Sequence, residues 1–213
     1  MMEYAIEANC PLFPGARLSL RAEEGEWIFL SGTQQACQAV FPILAGLQAH
    51  ERGEVKLAGV DYYSLPEAQR AVFRRDFLGA VPFGGGMVAE LTLFEQISLP
   101  LALAGVPRGE ILPKIQAMTG PHLPLHSLYS TPGRSSERKV RHSALLRALI
   151  RQPRVLVLMG LLDDLSPTDA VILTEALMAL CPRDCATVYL SGGPAPAGIP
   201  WTQQISTLQE GRT

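Results

Sequence analysis

Charge is scarce in this chain. Lys, Arg, Asp and Glu make up 18% of its 213 residues, against roughly 25% in an average globular protein. That shortfall implies a large core, surface covered by partners, or both. The balance is near neutral, with a net charge of −2, so the basic footprint of a nucleic-acid binder is missing and no such partner is expected. Long apolar runs are missing too. A bilayer span needs about 20 residues, and the best candidate, 97–106, is ten residues long and interrupted by Pro100. The start, Met1-Met2-Glu3-Tyr4-Ala5-Ile6-Glu7, is acidic and has no signal-peptide pattern. A cytoplasmic protein is expected, held at a membrane only if something else holds it. Cys10, Cys37, Cys181 and Cys185 are too few for a disulfide framework in a chain of this length, so reduced thiols are expected. Cys181 and Cys185 form half of a metal site with no second Cys/His pair at zinc spacing, and no metal is expected. His122 and His126 are separated by Pro124, which argues for a surface loop over a shared helix face.

What is present is an alternation of strand-like and helix-like segments, the pattern of an α/β fold with a largely parallel sheet. Residues 17–21 alternate apolar and polar, 27–30 form a short buried strand, and 54–59 alternate again and close on Gly59. A helix is expected over 66–77, with Pro66 at its first position and Ala68, Ala71, Val72 and Phe73 as its apolar face. Residues 78–81 make another strand. From about 91 to 129 helices are punctuated by Pro100, Pro107, Pro113, Pro121 and Pro124. A helix is expected over 135–151, with Ala144, Leu145, Ala148 and Leu149 on one side. Residues 154–159 read as a central strand, apolar on both faces. A helix over 173–180, a strand over 187–190 and an edge strand over 204–208 complete the chain, with a Gly/Pro-rich loop over 192–200.

One junction is unusual. Gly25-Glu26-Trp27-Ile28-Phe29-Leu30 reads as a turn and a buried strand, and the apolar segment 40–47 reads as a helix ending at Gly46. Strand, tight loop and helix are the setting of a phosphate loop, GxxxxGK[ST]. Here Ala36 stands at the second glycine, Cys37 at the lysine and Gln38 at the Ser/Thr. Nothing near Cys37 in sequence activates it, so it reads as a small buried hydrophobe. Gly84-Gly85-Gly86 has the wrong spacing for a dinucleotide fingerprint and reads as a flexible loop.

Five scaffold segments in order carry a resemblance. They are Gly25-Glu26-Trp27, Ile43-Leu44-Ala45-Gly46-Leu47, Gly53-Glu54-Val55 with Gly59, the segment 90–101 (ELTLFEQISLPL), and the segment 145–153 (LLRALIRQP). Along nearly its whole length the chain resembles the ATP-binding subunits of ABC transporters, in the branch serving lipoprotein release and macrolide export. The resemblance implies a P-loop NTPase-like ABC ATPase domain over 1–213, with a mostly parallel core sheet and N-terminal antiparallel strands. Its core would span about 1–83 and 152–213, and its helical subdomain about 84–151.

The same resemblance places chemistry on residues that lack it. The degenerate phosphate loop is Ser31, Gly32, Gln34, Ala36, Cys37 and Gln38. The loop glutamine falls at Phe83, the Walker B aspartate at Met159, the catalytic glutamate at Gly160 and the switch histidine at Gly192. Phe83 and Met159 are expected to fill nucleotide space. The signature corresponds to Ser135-Ser136-Glu137-Arg138-Lys139, with only Ser136 kept, and the D-loop to Asp163-Asp164-Leu165-Ser166. Arg134, Arg138, Lys139, Arg141 and His142 form a basic cluster at a helix start, either a solvated face or a contact for an acidic partner or a phosphate. Phe13 is the sole aromatic near the expected adenine position.

Each lost charge-assisted phosphate contact costs roughly 1.5–3 kcal/mol, and a lost general base costs about a hundred- to ten-thousand-fold in rate. Phosphoryl transfer rests on positioning and electrostatics. The expectation is therefore an inactive subunit with no catalytic residues and no cofactor. It would pair with an active ABC ATPase as a heterodimer and dock on transmembrane permease subunits through Phe83, Met87, Leu91, Phe94, Leu99 and Leu101, peripheral on the cytoplasmic face. Two alternatives stay open. One is a divergent ATPase that uses ATP and magnesium through Asp163 or Asp164; the other is a soluble interaction module on the same fold.

Overall fold

The computed structural model describes residues 4–13, 16–49 and 52–206. Two sheets enclose one helix. β1 (Ile6–Phe13) pairs antiparallel with β2 (Ala16–Ala22) and with β4 (Glu54–Leu57), and β5 (Val60–Asp61) closes that sheet in the order β2-β1-β4-β5. Alternation sets the faces. Ile6, Ala8 and Cys10 point inward with Leu18 and Leu20, while Glu7 faces outward and pairs with Arg21 at 2.9 Å and Lys56 at 3.3 Å. The resemblance implied antiparallel N-terminal strands, and β1 is one of them; its bounds were not read from the sequence, although its alternation is as clear as that of β2.

The second sheet is wholly parallel. β3 (Trp27–Ser31), β6 (Leu78–Val81), β7 (Val155–Met159), β8 (Ala186–Ser191) and β9 (Gln203–Ser206) lie in the order β6-β7-β8-β3-β9. The carboxyl ends of β3, β6, β7 and β8 consequently meet along one edge, where ligands of open α/β sheets bind. β7, apolar throughout, and β8, which carries Thr187 and Ser191 among apolar residues, are buried on both faces, as central parallel strands are. The expected edge strand is present as β9; Thr207 and Leu208 lie outside the described residues.

α1 (Gln34–Leu44) lies between the sheets, with Val40, Phe41 and Leu44 packed among Ile6, Leu18 and Val157. α2 (Glu67–Phe77) differs from expectation: Phe73 alone is buried, and Ala68, Ala71 and Val72 face solvent. Pro66 sits one place earlier than expected, at the N-cap. α3 (Leu93–Leu103), α4 (Arg108–Met118) and α5 (Glu137–Leu149) build a separate apolar cluster around Leu93, Ile97, Ile115, Leu128 and Leu146. Pro100 and Pro113 lie inside α3 and α4 instead of ending them. In α3 a reciprocal cap between Thr92 and Glu95 fixes the start. The buried Ile97 and Leu101 hold the turns either side of Pro100. α6 (Pro167–Leu180) begins six residues before the expected start, with Ser166 capping Asp169 N.

Candidate functional site

Gly32 and Thr33 alone connect β3 to α1. Thr33 is extended, and its Oγ1 accepts from Ala36 N at 3.2 Å. Its carbonyl accepts from Cys37 N at 3.0 Å, the first helical bond. Positions 34–36, which a phosphate loop would arch around an anion, are therefore the opening turn of a capped helix, and the amides of Ala36 and Cys37 are already used. Gly32 N donates to Ser191 O at 3.2 Å, tying the junction to β8. Cys37 is 5% exposed. Burial raises its thiol pKa, with the Asp163 carboxylate adding to the effect, so it stays a neutral thiol as expected.

The segment after β7 is clamped from behind. Arg141 of α5 is 2% exposed. Its guanidinium donates to Gly160 O at 2.9 Å, Leu161 O at 3.1 Å and Asp163 O at 2.5 Å, and pairs with Glu137. The same guanidinium lies 5.7 Å from the Phe83 ring. Gly160 has φ +60, and a Cβ there would meet Phe83 Cδ2 at 2.6 Å. Tyr189 OH accepts from Leu162 N at 2.8 Å and donates to Asp163 Oδ1 at 3.3 Å. Ser191 Oγ donates to Asp163 Oδ2 at 2.8 Å and accepts from Gly193 N at 2.9 Å. Burial, then the neighbouring Asp163 carboxylate, pushes the Tyr189 phenol upward and keeps it a neutral donor.

These elements wall a cleft of about 1040 Å³. Gln34, Cys37 and Gln38 of α1 line it, as do Phe83, Met159, Gly160, Asp163 and Asp164, the α6 side chains Val171, Thr174, Glu175 and Met178, and the loop 192–198. α6 and that loop were not foreseen as walls; the Pro/Gly pattern marks the loop, but nothing in it points to a cavity. Phe83 and Met159, expected to fill nucleotide space, form part of its lining. No Lys, Arg or His lines it among the described residues. With the Ala36 and Cys37 amides engaged, no Lys, Arg or His in the described lining and three carboxylates in the wall, the lining does not fit a magnesium nucleotide.

The remaining expected positions scatter. Ser136 occupies the N-cap of α5 without capping it; Glu137 pairs with Arg141; Arg138 pairs with Asp169 at 2.8 Å. None of these three lines the cleft. The basic cluster is no solvated face at its inner end, because Arg141 and His142 are buried. The signal was present: Arg141 stands three and four residues before Ala144 and Leu145, hence on their side of the helix. The glycine run is an ordered turn, with Arg147 donating to Gly85 O at 2.8 Å and Gly86 O at 2.9 Å. Phe83 and Leu99 are 43% and 45% exposed, and Met87, Leu91 and Phe94 are half-buried. Leu101 is 3% exposed in the helical core, so it leaves the expected docking set. The Phe13 side chain lies outside the described residues.

A mostly parallel sheet with an antiparallel flank, a helix behind its first parallel strand and a helical cluster beside it define an ABC-type ATPase cassette. A solved dimeric bacterial ABC transporter cassette superposes with a TM-score of 0.74, 16% identity, and coverage of 88% of this chain and 87% of that one. In sequence the chain is 31% identical over 167 residues to the lipoprotein-releasing system ATP-binding protein LolD of Paramagnetospirillum magneticum, covering 78% of this chain and 73% of that protein. It is 29% identical over 141 residues to LolD of Geobacter metallireducens, covering 66% of this chain but 63% of that protein's length. No protein-family model matches the chain. The chain belongs to the family of ABC transporter ATP-binding subunits of the LolD type.

Proposed function

We propose that this chain is a catalytically inactive ABC subunit of a membrane transporter. It would complete a dimer with an active ABC ATPase and dock on membrane-spanning subunits from the cytoplasmic face. The observation that supports this best is the capped start of α1: Thr33 takes the Ala36 and Cys37 amides, and no cation lines the cleft among the described residues. An anionic magnesium nucleotide finds no counter-charge there, and neither Met159 nor Gly160 supplies a metal ligand or a base. The named role of the relatives, ATP-binding proteins of lipoprotein-releasing systems, supports the transporter setting. The half-exposed Phe83 and Leu99, with Met87, Leu91 and Phe94 beside them, supply an apolar surface for a membrane subunit.

The test is native mass spectrometry of the assembly gently extracted from its own membranes. One copy of this chain with one motif-intact ABC ATPase and membrane subunits supports the reading. A homodimer, or a lone chain, overturns it.

A second reading has one observation in its favour: both Asp163 and Asp164 line the cleft. As a divergent ATPase the chain would show magnesium-dependent ATP turnover lost in Asp163→Asn or Asp164→Asn. Against it, Asp163 is already engaged by Ser191 and Tyr189.

A further inference from the structure

The cleft has a chemistry of its own beyond lacking a grip on phosphate. Its body is apolar: Phe83 and Met159 lie at the sheet edge, Val171 and Met178 on α6, and Pro194 on the opposite loop. Its charges are all of one sign. Asp163, Asp164 and Glu175 are the ionisable carboxylates of the wall, and no basic side chain answers them among the described lining residues. Asp163 is held by Ser191 and Tyr189. The carboxylates of Asp164 and Glu175, by contrast, make no hydrogen bond or ion pair among the described residues. Asp164 is held at φ +61, a left-handed geometry that a non-glycine residue adopts at a cost.

A volume of about 1040 Å³ lies at the upper end of the range for small-molecule sites, roughly 300–1,000 Å³. Such sites are mostly apolar with a few polar groups that fix orientation, which describes this wall. We propose that the cleft binds an amphipathic organic cation, an apolar body of aromatic size carrying one positive centre. The body would be received by Phe83, Val171, Met159 and Met178, whose two thioether chains adapt to irregular shapes. The positive centre would be drawn by Asp164 and Glu175, whose charge has no partner within the described chain. Asp164 and Glu175 stand exposed to solvent in the wall, and like charges gathered there attract counter-ions and repel anions, so the same residues that disfavour phosphate select this ligand.

The inference rests on the reading that the cleft holds no magnesium nucleotide, and the experiment separates the two. The full chain is titrated calorimetrically with tetraphenylphosphonium, with neutral triphenylphosphine oxide and with anionic anilinonaphthalene sulfonate. The cation should bind at least tenfold more tightly than either. In the double variant Asp164→Asn, Glu175→Gln its affinity should fall about tenfold, to the level of the neutral compound, with the melting temperature unchanged. Asn tolerates the left-handed geometry that Asp164 occupies. A cation that binds no better than the phosphine oxide, or equally well in the double variant, overturns the inference and leaves the proposed function standing. A methylanthraniloyl-ATP·Mg²⁺ complex that binds and displaces the cation overturns both.

Discussion

At the scale of single residues, two buried side chains of α5 carry more of the fold than their charge suggests. Arg141 reaches three carbonyls of the segment after β7, and no other side chain contacts those oxygens among the described residues. Arg141→Met removes the donor and leaves buried carbonyls short of a partner, at a cost of about 3–5 kcal/mol. For a chain of this length that lowers the melting temperature by roughly 10 °C. Arg141→Lys should fall between, since one ammonium lacks the reach of the planar fork. A melting temperature of Arg141→Met within about 2 °C of the parent, within ordinary surface-substitution scatter, would refute the clamp. His142, one residue on, has its pKa pushed down to about 4, chiefly by burial and secondarily by Arg138 and His122. In the unfolded chain it titrates near 6.5. Above that pH it is neutral in both states and its contribution is complete. As pH falls from 6.5 toward 4, only the unfolded chain takes up the proton, and stability declines. The loss approaches about 3 kcal/mol at 1.36 kcal/mol per unit. Urea unfolding at pH 7.5 and 4.5 should show that loss in the parent and a smaller one in His142→Leu; equal losses in the two would rule the histidine out.

At the scale of elements, the start of α1 and the turn after β7 decide what the cleft is able to hold. Four substitutions would rewrite the missing chemistry: Cys37→Lys, Gln38→Thr, Met159→Asp and Gly160→Glu. On the proposed reading, the quadruple variant still shows no magnesium-dependent ATP hydrolysis above background. Its loop remains two residues long, and the amides at positions 36 and 37 remain engaged by Thr33. Gly160→Glu alone should be costly, because φ +60 strains any side chain and Phe83 stands 2.6 Å from its Cβ; a loss of about 1–3 kcal/mol follows, readable as a lower melting temperature. Steady phosphate release by the quadruple variant would show that side chains, and not the helix start, were the obstacle. Much of this was legible beforehand. The order of strands and the anomaly at Cys37 followed from alternation and spacing, because burial on a sheet writes directly into residue type. The inward turn of Arg141, the burial of Leu101 and the cleft against α6 were not, since each depends on which helix faces which, and periodicity within one element carries no such information. Only the Arg141 position had a local clue, its spacing from Ala144 and Leu145.

At the scale of the whole molecule, the low charge content and the placement of exposed apolar side chains belong together. Six of the large apolar residues exposed on the described surface fall within 83–129: Phe83, Val88, Leu99, Leu103, Leu112 and Tyr129. Phe94 stacks on Tyr129 with ring centroids 5.4 Å apart, joining α3 to the turn Leu125–Tyr129. A monomer gains nothing from such a concentration, whereas an interface core depleted of charge does. If this face seats a membrane subunit, a charge placed on it is desolvated in the complex and harmless in the free chain. Leu99 is 45% exposed and Leu103 69%, so Leu99→Glu and Leu103→Glu should leave the melting temperature within about 2 °C of the parent, as surface substitutions do. In the assembly the buried carboxylate finds no partner, and the penalty of several kcal/mol should release the membrane subunits on affinity purification. Retention of those subunits by both variants, at parental stoichiometry, would move the docking surface away from α3 and leave the apolar face to the ATPase partner.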